Sequence, residues 1–178
     1  MRRTLSIITL FAILLTACVG DPGPPGFDGA DGGLIVAQSF ETTIDFSAPD
    51  YSNLVVYPNN IEVFDGDMTL VYILFDQVPG NNGGLVDVFR LLPQTLYTDF
   101  GEFQYNFDFT TGDATIFLDG PASTDFSQLT SGDLNDQTFR IVILPAEIAN
   151  NPALDVTDYN AVMNLANLGS EDIIQIQD

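Results

Sequence analysis

The sequence has no histidine, lysine or tryptophan, and it contains a single cysteine, Cys18, among 178 residues. Without histidine, a Ser-His-Asp or Cys-His arrangement is impossible, and zinc, copper and haem sites lose their usual ligands. Without lysine there is no Schiff base and no phosphate-loop lysine. What remains is carboxylate chemistry of the glycosidase kind or a hard cation held by oxygen atoms. No two of the many carboxylates stand out as a catalytic pair, so we expect no cofactor and no enzymatic activity.

Positive charge is also scarce, since four arginines face 25 acidic residues and the formal net charge is −21. Two of the arginines, Arg2 and Arg3, lie in the first 17 residues, and all the acidic residues follow Cys18. An acidic surface of this kind repels nucleic acid and anionic lipid head groups. We expect no nucleic-acid partner, and we attribute the charge to solubility rather than to a specific cationic ligand.

The only cysteine follows a segment with the layout of a secretory signal peptide. Arg2 and Arg3 precede an apolar run over residues 5–15, which is shorter than the roughly 20 residues that a membrane span needs. Residues 15–18, Leu-Thr-Ala-Cys, resemble the lipobox of bacterial lipoproteins. The resemblance implies a thioether to diacylglycerol on Cys18 and removal of residues 1–17. The alternative is a plain secretory signal with an incidental cysteine.

Glycine recurs at every third position after the cysteine, at Gly20, Gly23, Gly26, Gly29 and Gly32. This is the collagen period, in which only glycine fits at the axis of a triple helix. Four triplets are too few to hold three chains together alone. The sequence therefore predicts an extended tether over residues 18–33 and a monomer, with a trimer through residues 20–32 as the alternative.

Residues 34–178 are predicted to form one domain that is mainly β. Phe40, Thr42, Ile44 and Phe46 alternate with polar residues, as in a half-buried strand. Residues 68–75 are almost continuously apolar, which indicates a central strand covered on both faces. The other predicted strands are residues 54–57, 61–64, 85–92, 103–109, 114–118 and 139–144, with 103–109 and 114–118 forming an antiparallel hairpin.

The last section predicts a helix over residues 158–168, capped by Asp155 or Thr157 and ended by Gly169. Its apolar stripe is predicted to be Val162, Leu165 and Ala166. Residues 170–178 could continue as one more helical turn or as a terminal strand, and the pattern does not decide between them. The predicted fold is an antiparallel β-sandwich of about seven or eight strands with a C-terminal helix, preceded by the signal peptide and the collagen-like tether.

Two short acidic clusters offer oxygen ligands for calcium. One comprises Asp65 and Asp67, and the other comprises Asp133, Asn135 and Asp136. Calcium takes six to eight oxygen ligands, and neither cluster has the spacing of an EF-hand loop. Both clusters also have an ordinary turn composition, so they are weak metal candidates.

Arg90 and Arg140 lie inside apolar strands of a chain with almost no other cation. The simpler interpretation is an ion pair or a side chain that reaches solvent at an edge. The functional interpretation is contact with an anionic ligand. The aromatic face of residues 103–109 has two interpretations as well, as part of the core or as a platform for carbohydrate.

Several segments together resemble a family of bacterial lipoproteins of the Bacteroidota, in which a lipobox precedes a short collagen-like stub and a β-rich domain. The matching segments are Cys18 with residues 20–32, and residues 92–95, 104–108, 138–143 and 159–163. The resemblance implies export and attachment to the outer membrane, at its periplasmic face or at the cell surface. It implies nothing about activity.

We therefore expect a lipoprotein of the cell envelope, held in the membrane by acyl chains on Cys18. Its expected role is that of a non-enzymatic binding or interaction module with an envelope protein or a glycan as partner. The alternatives are a structural or adhesive surface protein and a carboxylate-dependent glycoside hydrolase.

Overall fold

The computed structural model describes residues 36–81 and 83–176. The predictions for the signal peptide, Cys18 and the glycine repeat lie outside these residues. The described part contains nine strands: β1 (Gln38–Ile44), β2 (Ser52–Val56), β3 (Met68–Pro79), β4 (Leu85–Leu91), β5 (Gln94–Thr98), β6 (Gly101–Phe109), β7 (Asp113–Asp119), β8 (Gln137–Leu144) and β9 (Ile173–Gln175).

The strands form two sheets that pack against each other, which confirms the predicted β-sandwich. One sheet has the order β4-β3-β8-β1-β9, and the other has the order β2-β7-β6-β5. All neighbouring strands are antiparallel except β1 and β9, which run parallel.

The period-two alternation of the sequence decides which side chains fill the space between the sheets. On β1, Phe40 and Ile44 are buried in this core, as predicted. On β6, Phe103 and Tyr105 are buried in the same core, whereas Phe109 near the end of the strand is 50% exposed. Most of the aromatic face of β6 is therefore core, which is the simpler of its two interpretations.

Strand β3 is covered on both faces over its first half, as its continuous apolar run predicts. Val71 and Ile73 point into the core between the sheets, whereas Leu70 and Tyr72 join a second cluster on the opposite face. Helix residues complete this second cluster, so the domain has three layers: the four-stranded sheet, the five-stranded sheet and a helical layer.

The predicted strand over residues 61–64 is wrong, because the segment does not pair in either sheet. The side chain of Gln38 bonds it instead. Nε2 of Gln38 donates to the carbonyl of Glu62 at 2.9 Å, and the Glu62 amide donates to Oε1 of Gln38 at 3.4 Å. The side-chain amide of Gln38 thus bonds the backbone of Glu62 in the way that a paired strand would.

Two strands were not predicted as such, which brings the count to nine rather than seven or eight. Strand β5 begins directly after Pro93, in a segment for which no strand is predicted. At the C-terminus both alternatives occur in succession, since Ser170–Asp172 forms a 3-10 turn and Ile173–Gln175 forms β9.

The described part also contains three short α-helices: α1 (Ser131–Leu134), α2 (Ala146–Ala149) and α3 (Tyr159–Ala166). The C-terminal helix α3 confirms the prediction, but its limits differ. Asp158 caps it by accepting a hydrogen bond from the Ala161 amide at 3.0 Å, in place of Asp155 or Thr157.

Helix α3 ends at Ala166, and its C-cap Asn167 adopts the left-handed conformation with φ of 54°, two residues before the predicted stop at Gly169. Its buried face also differs from the predicted stripe. Val162, Met163 and Ala166 are buried, whereas Leu165 is 36% exposed.

Candidate functional site

Arg140 lies on the face of the five-stranded sheet that the helical layer covers. It is directly opposite Glu41 in the register of β8 and β1. The two side chains form an ion pair, and they are only 12% and 16% exposed. Nε of Arg140 donates to Oε2 of Glu41 at 3.0 Å, and Nη2 donates to the same oxygen.

The Arg140 guanidinium also holds helix α3 against the sheet. Its Nη1 donates to the hydroxyl of Tyr159, the first residue of α3. Its central carbon lies 4.1 Å from the centre of the Phe89 ring and 5.5 Å from that of Tyr159. The arrangement corresponds to the ion-pair interpretation, and the charge of Arg140 is already balanced by Glu41. Contact with an external anion stays an untested prediction for this residue.

Arg90 has a different environment, on the edge strand β4. It is exposed, and its guanidinium carbon lies 3.5 Å from the centre of the Phe75 ring. A cation over the face of an aromatic ring is attracted by the ring quadrupole. Of the two arginines, Arg90 is the one that an external group could reach, and the anion contact stays a prediction here too.

The first acidic cluster forms a closed turn before β3. The Phe64 amide donates to Oδ2 of Asp67 at 2.9 Å, and the Asp67 amide donates to the Phe64 carbonyl at 3.1 Å. Gly66 has a φ of 97°, a backbone conformation that residues with a side chain rarely adopt. Asp65 is exposed. The carboxylate of Asp67 therefore accepts a hydrogen bond from the backbone of its own turn.

The second acidic cluster surrounds helix α1. Oδ2 of Asp133 accepts bonds from the Thr130 amide at 2.9 Å and from the Thr130 hydroxyl at 2.6 Å. The Asp136 amide donates to Asp45 at 2.7 Å, and the carbonyl of Asn135 accepts from Gln137 at 2.6 Å. Across the described ranges, no group of three or more Asp, Glu, Cys or His residues is placed to hold a metal ion.

The carboxyl groups of Asp125 and Asp155 each have a pKa that is shifted downward. The Ser127 hydroxyl donates to Asp125 at 2.6 Å, and the Thr157 hydroxyl donates to Asp155 at 2.6 Å. These side-chain bonds, joined by backbone bonds, lower the pKa of each carboxyl group. A general acid for glycoside hydrolysis needs a raised pKa, so neither residue suits that role.

Two open grooves on the surface of the described residues border the elements discussed above. The larger, of about 640 Å³, lies between the start of β1, the end of α3 and β9, and Gln38, Leu165 and Ile174 contribute to its lining. The smaller, of about 230 Å³, borders Arg140 and Tyr159. Neither groove brings two carboxylates face to face among the residues that line it.

The far end of the β3–β4 hairpin is a two-stranded ribbon. In the described part, the pairing of β3 with β8 ends at Ile73, and the rest of β3 pairs with β4 alone. All side chains of residues 76–79 and 85–87 are exposed. We call these two segments the ribbon. It presents three large apolar side chains to solvent, since Val78 is 39%, Leu85 66% and Val86 50% exposed.

The outer face of the four-stranded sheet has a distinct composition. None of its side chains on β5, β6 and β7 is buried. Part of this face combines two aromatic rings with amides and a hydroxyl, and we call this group the amide face: Thr95, Tyr97, Gln104, Asn106 and Phe117.

From the sequence, neither the ribbon nor the amide face was predicted as a candidate site. Residues 85–92 were predicted as a strand, but β3 was expected to end at Phe75, so the unsupported length of the hairpin was missed. Tyr97 was missed because β5 was not predicted. The polar alternation of Gln104 and Asn106 was the one available signal for the amide face.

Comparisons of the chain with protein-family models, with curated proteins and with solved structures find no match. The described ranges contain no helix that is both long enough and apolar enough to cross a membrane.

Proposed function

We propose that the chain is a lipid-anchored lipoprotein of the cell envelope that acts as a non-enzymatic interaction module. Acyl chains on Cys18 hold it in the outer membrane, and residues 20–32 serve as the tether to the domain. The domain binds a partner protein of the envelope through the ribbon.

The observation that carries this proposal is the unsupported ribbon. An isolated two-stranded hairpin is marginally stable in water, and a third strand or a packed surface is needed to stabilise it. Val78 lies directly opposite Val86, and Pro79 lies opposite Leu85, so apolar pairs are exposed along the ribbon. Burying one such side chain fully contributes about 1.5–3 kcal/mol, which a partner surface would supply.

Charge indicates the chemistry of the partner. Residues 77–86 contain no charged residue, in a chain with 25 acidic ones. Asp76 and Asp87 lie at the two ends of this uncharged stretch, and both are exposed. An apolar patch rimmed by lysine or arginine would complement the ribbon and would be steered towards the acidic domain.

Cross-linking in intact cells, followed by recovery of the chain, tests the proposal. The wild type is expected to recover one reproducible envelope protein, and Val86→Asp is expected to lose it. Leu54→Asp is the matched control, because Leu54 is 63% exposed on β2 in the other sheet. This control is expected to recover the partner as the wild type does.

Two outcomes contradict the proposal: no reproducible partner for the wild type, or equal recovery by Val86→Asp. Leu85→Ser serves as a second ribbon variant, because it adds no charge beside Asp87. The thermal midpoint of each variant separates a lost contact from a lost fold.

A further inference from the structure

We infer that the amide face binds an uncharged oligosaccharide or polysaccharide chain. This site lies on the four-stranded sheet, whereas the ribbon belongs to the five-stranded sheet. The inference does not depend on the protein partner proposed for the ribbon.

Two aromatic rings are available for stacking. Tyr97 on β5 is 81% exposed, and Phe117 on β7 is half-buried on the same face. Neither ring contacts another aromatic ring within residues 36–81 and 83–176. An aromatic face is apolar at its centre and carries a negative quadrupole, so it suits the C–H groups on one side of a sugar ring.

Side-chain amides between the rings provide donors and acceptors in fixed positions. Nε2 of Gln104 donates to the Thr95 hydroxyl at 2.8 Å, which leaves Oε1 and a second N–H of the amide for a ligand. Oδ1 of Asn106 accepts from the Phe107 amide at 2.9 Å, which leaves its NH₂ group for a ligand. Sugar hydroxyls both donate and accept, so they match these groups.

The charges around the amide face exclude anionic ligands. Glu102, Asp108 and Asp119 point to the same side of the sheet and are exposed. Both arginines of the described residues, Arg90 and Arg140, lie in the five-stranded sheet. Carboxylates accept hydrogen bonds from sugar hydroxyls but repel sulfate, phosphate and uronate groups. An uncharged polyol complements this surface.

The spacing of the rings favours an extended chain over a single sugar. Tyr97 pairs with Glu102, and Phe117 pairs with Asn106, so the two rings are two strands apart and four residues apart along β6. Standard strand spacings place them roughly 17 Å from each other. A ligand that contacts both rings must therefore span several sugar units.

The test is retention of the full chain, purified in mild detergent, in native gels cast with soluble polysaccharides. The probes are a β-glucan, an α-glucan, a mannan and a xylan, with alginate and heparin as acidic controls. The wild type is expected to be retarded by at least one neutral polymer and by neither acidic one. Tyr97→Ala is expected to raise the dissociation constant for this polymer about tenfold, because one stacked ring is lost.

Three variants separate recognition from folding. Tyr97→Phe keeps the ring and is expected to keep most of the binding, whereas Gln104→Ala is expected to weaken it. Phe64→Ala is the matched control, because Phe64 is 56% exposed but lies in the connection before β3.

Three outcomes overturn the inference: no retention by any neutral polymer, stronger retention by an acidic polymer, or no loss in Tyr97→Ala. Retention that Val86→Asp abolishes but Tyr97→Ala preserves would assign the sugar to the ribbon and would also overturn it. Failure of the protein partner at the ribbon leaves these results unaffected.

Discussion

Arg140 and Glu41 are separated by 99 positions in the sequence, yet they lie directly opposite each other on β8 and β1 and form an ion pair beneath helix α3. The pair is largely shielded from water, and Tyr159 completes it from the helix side. It joins the five-stranded sheet to the helical layer through one guanidinium.

We predict that Glu41→Ala lowers the free energy of unfolding by about 3 kcal/mol. The substitution leaves the Arg140 charge in a largely buried position without its partner, which costs more than the pair itself contributes. Urea denaturation measures the change. The double variant Glu41→Leu with Arg140→Met is expected to regain most of the loss, because it removes both charges and retains apolar packing.

Glu147→Ala serves as the control for this prediction, because Glu147 is exposed on α2. Its expected effect is below about 0.5 kcal/mol. If Glu41→Ala lowered the free energy of unfolding no more than this control does, the prediction that the ion pair stabilises the fold would be contradicted.

Asp158→Ala is expected to lower the free energy of unfolding by about 1 kcal/mol, because the Ala161 amide loses the carboxylate that caps α3. Asp158→Ser should retain most of the stability, since a hydroxyl also caps a helix. The urea midpoint is the measurement. If Asp155→Ala lowered the free energy of unfolding more than Asp158→Ala, Asp155 would be the functional cap, as the sequence analysis predicted, and the assignment to Asp158 would be contradicted.

Two buried tyrosines predict a loss of stability at alkaline pH. Burial raises the pKa of Tyr72 and of Tyr105 well above the ordinary value of 10.0. The Tyr72 hydroxyl donates to the Val156 carbonyl at 2.7 Å, and the Tyr105 hydroxyl donates to the Asp133 carbonyl at 2.7 Å, so both bonds need the protonated form.

The unfolded chain releases these protons near pH 10, whereas the folded chain releases them at a higher pH. The stability that the two groups contribute is therefore fully present below about pH 10 and is lost as the pH rises towards the folded pKa values. Urea unfolding between pH 8 and pH 11 is expected to show this fall, and tyrosinate absorbance should rise with unfolding. In the double variant Tyr72→Phe with Tyr105→Phe, the free energy of unfolding should decrease less between pH 8 and pH 11. An equal decrease in the wild type and the double variant would show that these two tyrosines do not cause it.

The sandwich could be predicted because its strands alternate clearly between the two faces. Phe103 and Tyr105 are buried while Gln104 and Asn106 are not, and this pattern is local in the sequence. The pairing of β1 with β9 could not be predicted, because it joins residues more than 130 positions apart. The bonding of the Glu62 backbone by the Gln38 side chain gives no periodic signal at all.

For the candidate sites as well, the sequence indicates single residues but not which residues the fold brings together. A lone arginine in an apolar strand marked Arg140 as unusual, but the choice of Glu41 among 25 acidic residues required the fold. The ribbon depends on where β8 stops pairing with β3, and the amide face depends on three strands lying side by side. Both are properties of the sheet rather than of any one segment.

The proposed membrane anchor makes a prediction that depends on a single sulfur atom. The native chain is expected to begin at Cys18, to carry diacylglycerol on it and to incorporate labelled fatty acid. Two or three acyl chains, at about 0.8 kcal/mol per buried methylene, would make the attachment effectively permanent. Cys18→Ala should abolish the label, because alanine has no thiol to form the thioether, whereas deletion of residues 20–32 should leave it intact. Mass spectrometry of the purified chain measures both outcomes, and a native chain with a free thiol and residues 1–17 still attached would contradict the anchor.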